Sequence, residues 1–171
     1  MYLIVDGYNV ICAWPELSAL ALEEFSAARD RLTDILASHC GYTGERLVLV
    51  FDAHQTRNTE TVYEISVGKG RHRRLAGTVV YTKKGETADN YIERFVRIHS
   101  GEEMTVASGD KLIQVLTFAY AARMSARELL ETVVKTAKLM AEKTENRKKK
   151  YALESRLDAI TYDALDDWRR K

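Results

Sequence analysis

The chain has 171 residues, with 26 Lys and Arg against 25 Asp and Glu and a formal net charge of +1. That length suits one domain with a full core and a small addition. The near-zero balance excludes a partner chosen by whole-molecule charge, so any polyanion contact has to come from local patches.

Tyr2 to Val5 reads as a buried strand that stops at Asp6. Glu16 to Ser38 reads as one helix, because Leu22, Phe25, Ala28, Leu32, Ile35 and Leu36 recur at helical spacing, and Gly41 and Gly44 punctuate its end. Leu47 to Phe51 is a second buried strand, Val62 to Val67 alternates as a third, and Thr78 to Thr82 is a further short one. Thr87 predicts the N-cap of a helix to about Ile98. Met104 to Ala107 is the next strand, followed by a helix from about Lys111 to Phe118. Ser125-Ala126-Arg127-Glu128 is a capping box that opens a long helix with Leu130, Val133, Val134, Ala137 and Met140 inward. That helix is expected to dissolve in the charged stretch Glu142 to Lys150, with one or two short helices after it.

Strands alternating with helices predict a three-layer α/β/α fold with a mainly parallel central sheet and a helical C-terminal extension. The expected division is residues 1–134 as the main domain and 135–171 as the extension, packed on it or projecting from it. No stretch approaches the roughly 18 apolar residues of a membrane helix. Asp6 interrupts the first apolar run too early for a signal peptide. Cys12 and Cys40 belong to no CxxC pair or Cys/His cluster, which predicts reduced, buried thiols. A cytoplasmic protein without membrane contact is expected.

Three apolar runs end at carboxylates: Asp6, Asp52, and Asp110 after Ser108-Gly109. Each alone is as compatible with an Asx-turn as with a site. Together they fall on one edge of a parallel sheet, where ligands of open α/β folds bind. Acids gathered there repel one another, and a hard divalent cation such as Mg²⁺ or Mn²⁺ removes that penalty. Asp89 joins them from the first turn of the helix after Thr87, where the dipole favours its charge. Glu93 lies four residues on, on the same face, as support or as a solvated residue. Asn9 suits contact with a water or a phosphate oxygen, or loop capping. Ser108 suits substrate contact, or a turn. His54 is a ligand candidate, or an ordinary loop histidine.

Lys69, Arg71, His72, Arg73 and Arg74, then Lys83 and Lys84, form a basic stretch without acids between Ser66 and Gly85. A phosphate backbone is the natural partner, with the stretch expected near the acids; the alternative is a solvated hairpin whose tyrosines serve the core. Tyr63 and Tyr81 flank the stretch and suit base stacking. Lys148 to Lys150 is a second RNA contact or a solvated helix end.

The segments Val5-Asp6-Gly7-Tyr8-Asn9, Val50-Phe51-Asp52-Ala53-His54, Thr82 to Glu93 with Glu86-Thr87-Ala88-Asp89, and Ser125 to Leu129 resemble, in this order, the YacP-like NYN-domain family of PIN-like nucleases. The resemblance spans about Met1 to Val133. It implies a PIN-like fold, Mg²⁺ or Mn²⁺ dependence, catalytic acids at Asp6, Asp52, Asp89 and Asp110, and relatives that act as ribosome-associated endoribonucleases on translated mRNA in the ribosomal A site. The family's usual Thr-Ser-Asp-x-x-Glu-Gln reads Ser108-Gly109-Asp110-Lys111-Leu112-Ile113-Gln114 here, and its Gly-Gln-Gly region reads Ala119-Tyr120-Ala121.

The expected function is therefore a metal-dependent endoribonuclease of mRNA decay. Asp6, Asp89 and Asp110 are the expected metal ligands. Asn9, Ser108, Lys69, Arg71, Arg73, Arg74, Lys83 and Lys84 are the expected substrate contacts, with Glu93 and His54 in support. No organic cofactor is expected. The alternatives are a general nuclease acting on free tRNA, rRNA or mRNA, and a non-catalytic RNA- or ribosome-binding module. A haloacid-dehalogenase-type phosphatase needs a second acid where Tyr8 stands, and a dinucleotide enzyme needs a Gly-rich turn absent after the first strand.

Overall fold

The structure, a computed structural model, describes residues 1–52, 59–68, 70–109 and 120–169. Its elements are β1 (Tyr2–Asp6), α1 (Gly7–Ala13), α2 (Pro15–Glu23), α3 (Phe25–Thr43), β2 (Arg46–Phe51), β3 (Thr61–Val67), a 3₁₀ turn (Gly70–His72), β4 (Arg74–Tyr81), α4 (Ala88–Ile98), β5 (Met104–Ala107), β6 (Ala122–Met124) and α5 (Ala126–Arg169). Two compact units divide the chain, Met1–Val134 and Lys135–Lys171.

In the first unit six strands form one sheet in the order β3-β4-β2-β1-β5-β6. Every pairing is parallel except β3 with β4. Near-continuous apolar strands belong in such a sheet because both faces are covered. Side chains alternate between the faces. Leu3, Val5, Leu47, Leu49 and Phe51 pack with Val10, Ile11, Leu17, Leu32 and Leu36 of α1, α2 and α3, and with Leu129 of α5. Ile4, Val48, Val50 and Val106 face the other way, onto Ala88, Tyr91, Ile92 and Val96 of α4. The three-layer α/β/α arrangement follows from these two cores.

Several expectations need correction. The helix expected over Glu16 to Ser38 is two helices, broken at Glu24, whose backbone is extended (φ −149°, ψ 109°). Gly41 lies within α3, and only Gly44 ends it, at φ 85° in the left-handed region. The inward face of α5 carries Ala126, Leu129 and Val133, whereas Val134 is exposed. The second unit is the continuation of α5 through the charged stretch rather than separate helices. Lys and Glu are strong helix formers and pair at i,i+4, as Lys149 does with Glu145 at 2.7 Å. Cys40 is buried, and burial pushes its thiol up to about 12, but Cys12 is exposed. The helix expected over Lys111 to Phe118 lies outside the described residues. Two short elements went unread, α1 and β6. Seven and three residues are too few for periodicity to register. Among the described residues, no helix is long and apolar enough to cross a membrane.

Candidate functional site

The strands β2, β1 and β5 are adjacent and parallel, so their carboxyl ends meet at one edge. Asp6 is the last residue of β1 and the N-cap of α1, and its Oδ1 accepts from the Asn9 N–H at 3.1 Å. It is 8% exposed, an unusual burial for a carboxylate. Gly7 is needed here because a Cβ would run into the Phe51 ring. Asn9, on α1, accepts through its Oδ1 from the Gly109 N–H at 2.7 Å, tying the start of α1 to the segment beyond β5. A Cβ on Gly109 would lie 2.6 Å from that oxygen. Ser108 is fully buried, and its N–H donates to the Met124 carbonyl of β6 at 3.2 Å.

Asp52 follows β2, and its Oδ1 accepts from the Ala88 N–H at the start of α4. Asp89 is the next residue, half-buried in the first turn. Thr87 caps the helix as expected, accepting from the Asn90 N–H at 3.2 Å. Asp6, Asp52, Asp89, Asn9 and Ser108 thus come from strand ends and helix starts on one side of the sheet. Asp110, His54 and Lys69 lie outside the described residues. Glu93, one turn beyond Asp89, engages Arg97 at 2.6 Å. Arg94 bridges Glu60 and Glu86, each at 3.0 Å, and stands 4.8 Å over the Tyr91 ring.

The basic stretch divides in two. Lys83 and Lys84 are exposed just after β4, whose last residue, Tyr81, is in register with Phe51. Arg71, Arg73 and Arg74 are exposed at the β3–β4 turn, where Val67 pairs with Arg74. Because β4 runs parallel to β2, that turn lies at the opposite edge of the sheet. From Arg74 to Tyr81 the strand rises roughly 23 Å at about 3.3 Å per residue. The expectation that the whole basic stretch adjoins the acids is not met.

Sequence reading singled out Tyr63 and Tyr81 but passed over Tyr8, Phe25 and Phe51, which join them in one ring cluster. Tyr8 packs edge-on against Phe25 with centroids 5.3 Å apart, and against Phe51 at 5.1 Å. Phe51 stacks on Tyr81 at 5.6 Å, and Tyr81 meets Tyr63 edge-on at 5.9 Å. The Arg29 guanidinium of α3 stands 5.8 Å from the Tyr81 centroid. Burial pushes the Tyr8 phenol up, the nearby positive Arg29 opposes this, and Tyr81 and Asp52 add to it. The signal lay in connectivity: α3 leads directly into β2, so its first turns must sit over the carboxyl edge.

Among the described residues, no three His, Cys, Asp or Glu side chains converge as a metal cage. Mg²⁺ characteristically takes only one or two carboxylates and completes its shell with water and substrate phosphate. The oxygen-only donors here, with Asp6 nearly buried, fit such an ion.

Fold and edge together are those of a PIN-like NYN nuclease domain. Residues 3–170 match the family model of the YacP-like NYN domain, and the chain belongs to that family. It is 40% identical over 134 residues to the uncharacterized protein YacP of Bacillus subtilis, covering 77% of this chain and 74% of that one. It also resembles the crystal structure of Rae1 (YacP) from Bacillus subtilis, with TM-score 0.70 and 32% identity over 100% of this chain and 95% of that one. A crystal structure of a point mutant of Rae1 (YacP) gives TM-score 0.69 and 34% identity, over 85% of this chain and 82% of that one. The family match continues into the helical tail, past the motifs that end near Val133.

Proposed function

We propose that this protein is a divalent-metal-dependent endoribonuclease that cleaves mRNA in association with the translating ribosome. The observation that carries the reading is the pair of ties at the sheet edge, Asn9 to Gly109 and Asp52 to Ala88, which hold the acid-bearing segments of β1, β2, β5 and α4 together. Asp6, Asp89 and Asp110 are assigned to Mg²⁺ or Mn²⁺. Asp52 fixes the start of α4 and thereby positions Asp89. A divalent ion held by these acids would supply Lewis acidity to the scissile phosphate and lower the pKa of an attacking water. Lys83 and Lys84 neutralise neighbouring phosphates. Asn9 and Ser108 keep the β5 end in place. The ribosomal link is drawn from the family resemblance, and cytoplasmic residence follows from it.

The test is hydrolysis of a ribosome-bound mRNA by Asp6→Asn and Asp89→Asn variants, with and without EDTA. Cleavage is expected to vanish in both variants and in EDTA, while folding survives because asparagine caps α1 as well as aspartate does. Undiminished cutting by either variant rejects the assignment. Equal cutting of free RNA replaces the ribosomal reading with a general processing nuclease. Absence of any Mn²⁺-stimulated cleavage leaves only an RNA-binding module.

A further inference from the structure

The rings beside the acids form a continuous chain, Phe25–Tyr8–Phe51–Tyr81–Tyr63. Its centre is buried, since Phe51 has no exposed surface. Its ends emerge: Phe25 is 39% exposed and Tyr63 is 49% exposed. Tyr81 is in register with Phe51, which precedes Asp52, and Tyr8 lies two residues beyond Asp6, so the middle of the chain adjoins the segments that carry the acids. Tyr63 is in register with Val79, whose side chain shares the α3 face with Phe51. Tyr81 props the Tyr63 ring edge-on, which fixes its plane at small entropic cost on binding. Arg29 adds a cation over the same group of rings.

We propose that Tyr63, braced by Tyr81, over whose ring the Arg29 guanidinium stands, is a stacking subsite for one unpaired base of the RNA strand that carries the scissile phosphate. The inference rests on the nuclease reading above and deepens it. Three physical features select the occupant. An exposed, pre-oriented tyrosine face accepts any base by stacking. A planar guanidinium stacks on a base or pairs with a phosphate. Tyr81 is on the strand beside Phe51 and Tyr63 on the one beyond, so Tyr63 stands two strands, roughly 10 Å, from the strand that leads to Asp52. A paired base has both faces occupied by its neighbours and cannot use the subsite, so single-stranded RNA is selected.

The experiment uses the full chain carrying Asp6→Asn, in EDTA, so that no cleavage intervenes. A single-stranded RNA with 2-aminopurine placed at each position in turn is titrated, and both quenching and affinity are read. Stacking predicts quenching confined to one or two adjacent positions. Adding Tyr63→Leu is expected to abolish that quenching and weaken binding roughly tenfold. Tyr63→Trp is expected to restore both. Arg29→Gln is expected to weaken binding and leave the quenched position unchanged. An RNA abasic at the quenched position should bind the parent and the Tyr63→Leu chain equally. Quenching that is uniform along the RNA, or that survives Tyr63→Leu, overturns the subsite. Thermal melts of each variant show whether it is folded. Tyr63→Phe, which keeps the ring, retains position-specific quenching if the proposal holds and loses it if a purely structural hydroxyl contact is responsible. Loss of cleavage by the parent enzyme would defeat the nuclease reading alone, since the titration needs no turnover.

Discussion

Asn9 joins segments one hundred residues apart through a single acceptor, its Oδ1 on the Gly109 N–H. Replacing it with alanine removes the acceptor of that N–H and loosens the segment carrying Ser108. Asn9→Ala is expected to cost about 0.5–1 kcal/mol in urea unfolding, since water can take the acceptor's place, and to lower cleavage more than substrate binding, because the acids lose mutual position while the lysines stay. Unchanged cleavage would remove Asn9 from the site. The sequence marked Asn9 as polar and near Asp6, with orienting or capping roles equally open. It did not show the partner, because a contact across one hundred residues has no local pattern. Gly7 is a similar case. It reads as a turn glycine, yet its need is set by the Phe51 ring arriving from another strand.

At the scale of elements, the β3–β4 hairpin separates two groups of basic residues that run together in the sequence. Lys83 and Lys84 follow the carboxyl end of β4, whereas Arg71, Arg73 and Arg74 lie at its amino end. The eight residues of β4 run between the two groups, and so adjacency along the chain becomes separation across the sheet. Changing Lys83 and Lys84 together to glutamine is expected to weaken binding of a short single-stranded RNA several-fold and to reduce its salt dependence by up to about two charges. Changing Arg71 and Arg73 in the same way is expected to leave that short RNA unaffected and to weaken only substrates long enough to cross the sheet edge to edge. Affinity measured against salt and RNA length distinguishes the two. Equal effects on the short RNA would contradict the division. The strands themselves were legible, since β-rich apolar runs of five or six residues carry their own signal. The break between α2 and α3 was not, because Glu24 differs from its neighbours only in backbone conformation.

Over the whole molecule, every described residue assigned to the candidate site belongs to the unit Met1–Val134. A chain ending after Lys135 is therefore expected to melt cooperatively and to bind short single-stranded RNA as the full chain does, with circular dichroism and fluorescence titration as the readouts. Failure to fold would mean that residues 135–171 belong to the nuclease domain itself. The sequence by itself determined the layer architecture and the acids, because strand hydrophobicity, capping residues and the Asp-Gly-Tyr-Asn and Glu-Thr-Ala-Asp segments are local features that can be read without a partner. Only the tertiary structure decided which side chains meet. Strand order and direction put Asp52 on the Ala88 N–H, bring Arg29 beside Tyr8 and Tyr81, and carry the arginines of the hairpin to the far edge. Those outcomes depend on how the chain folds back on itself, and neighbouring residues do not encode that return path.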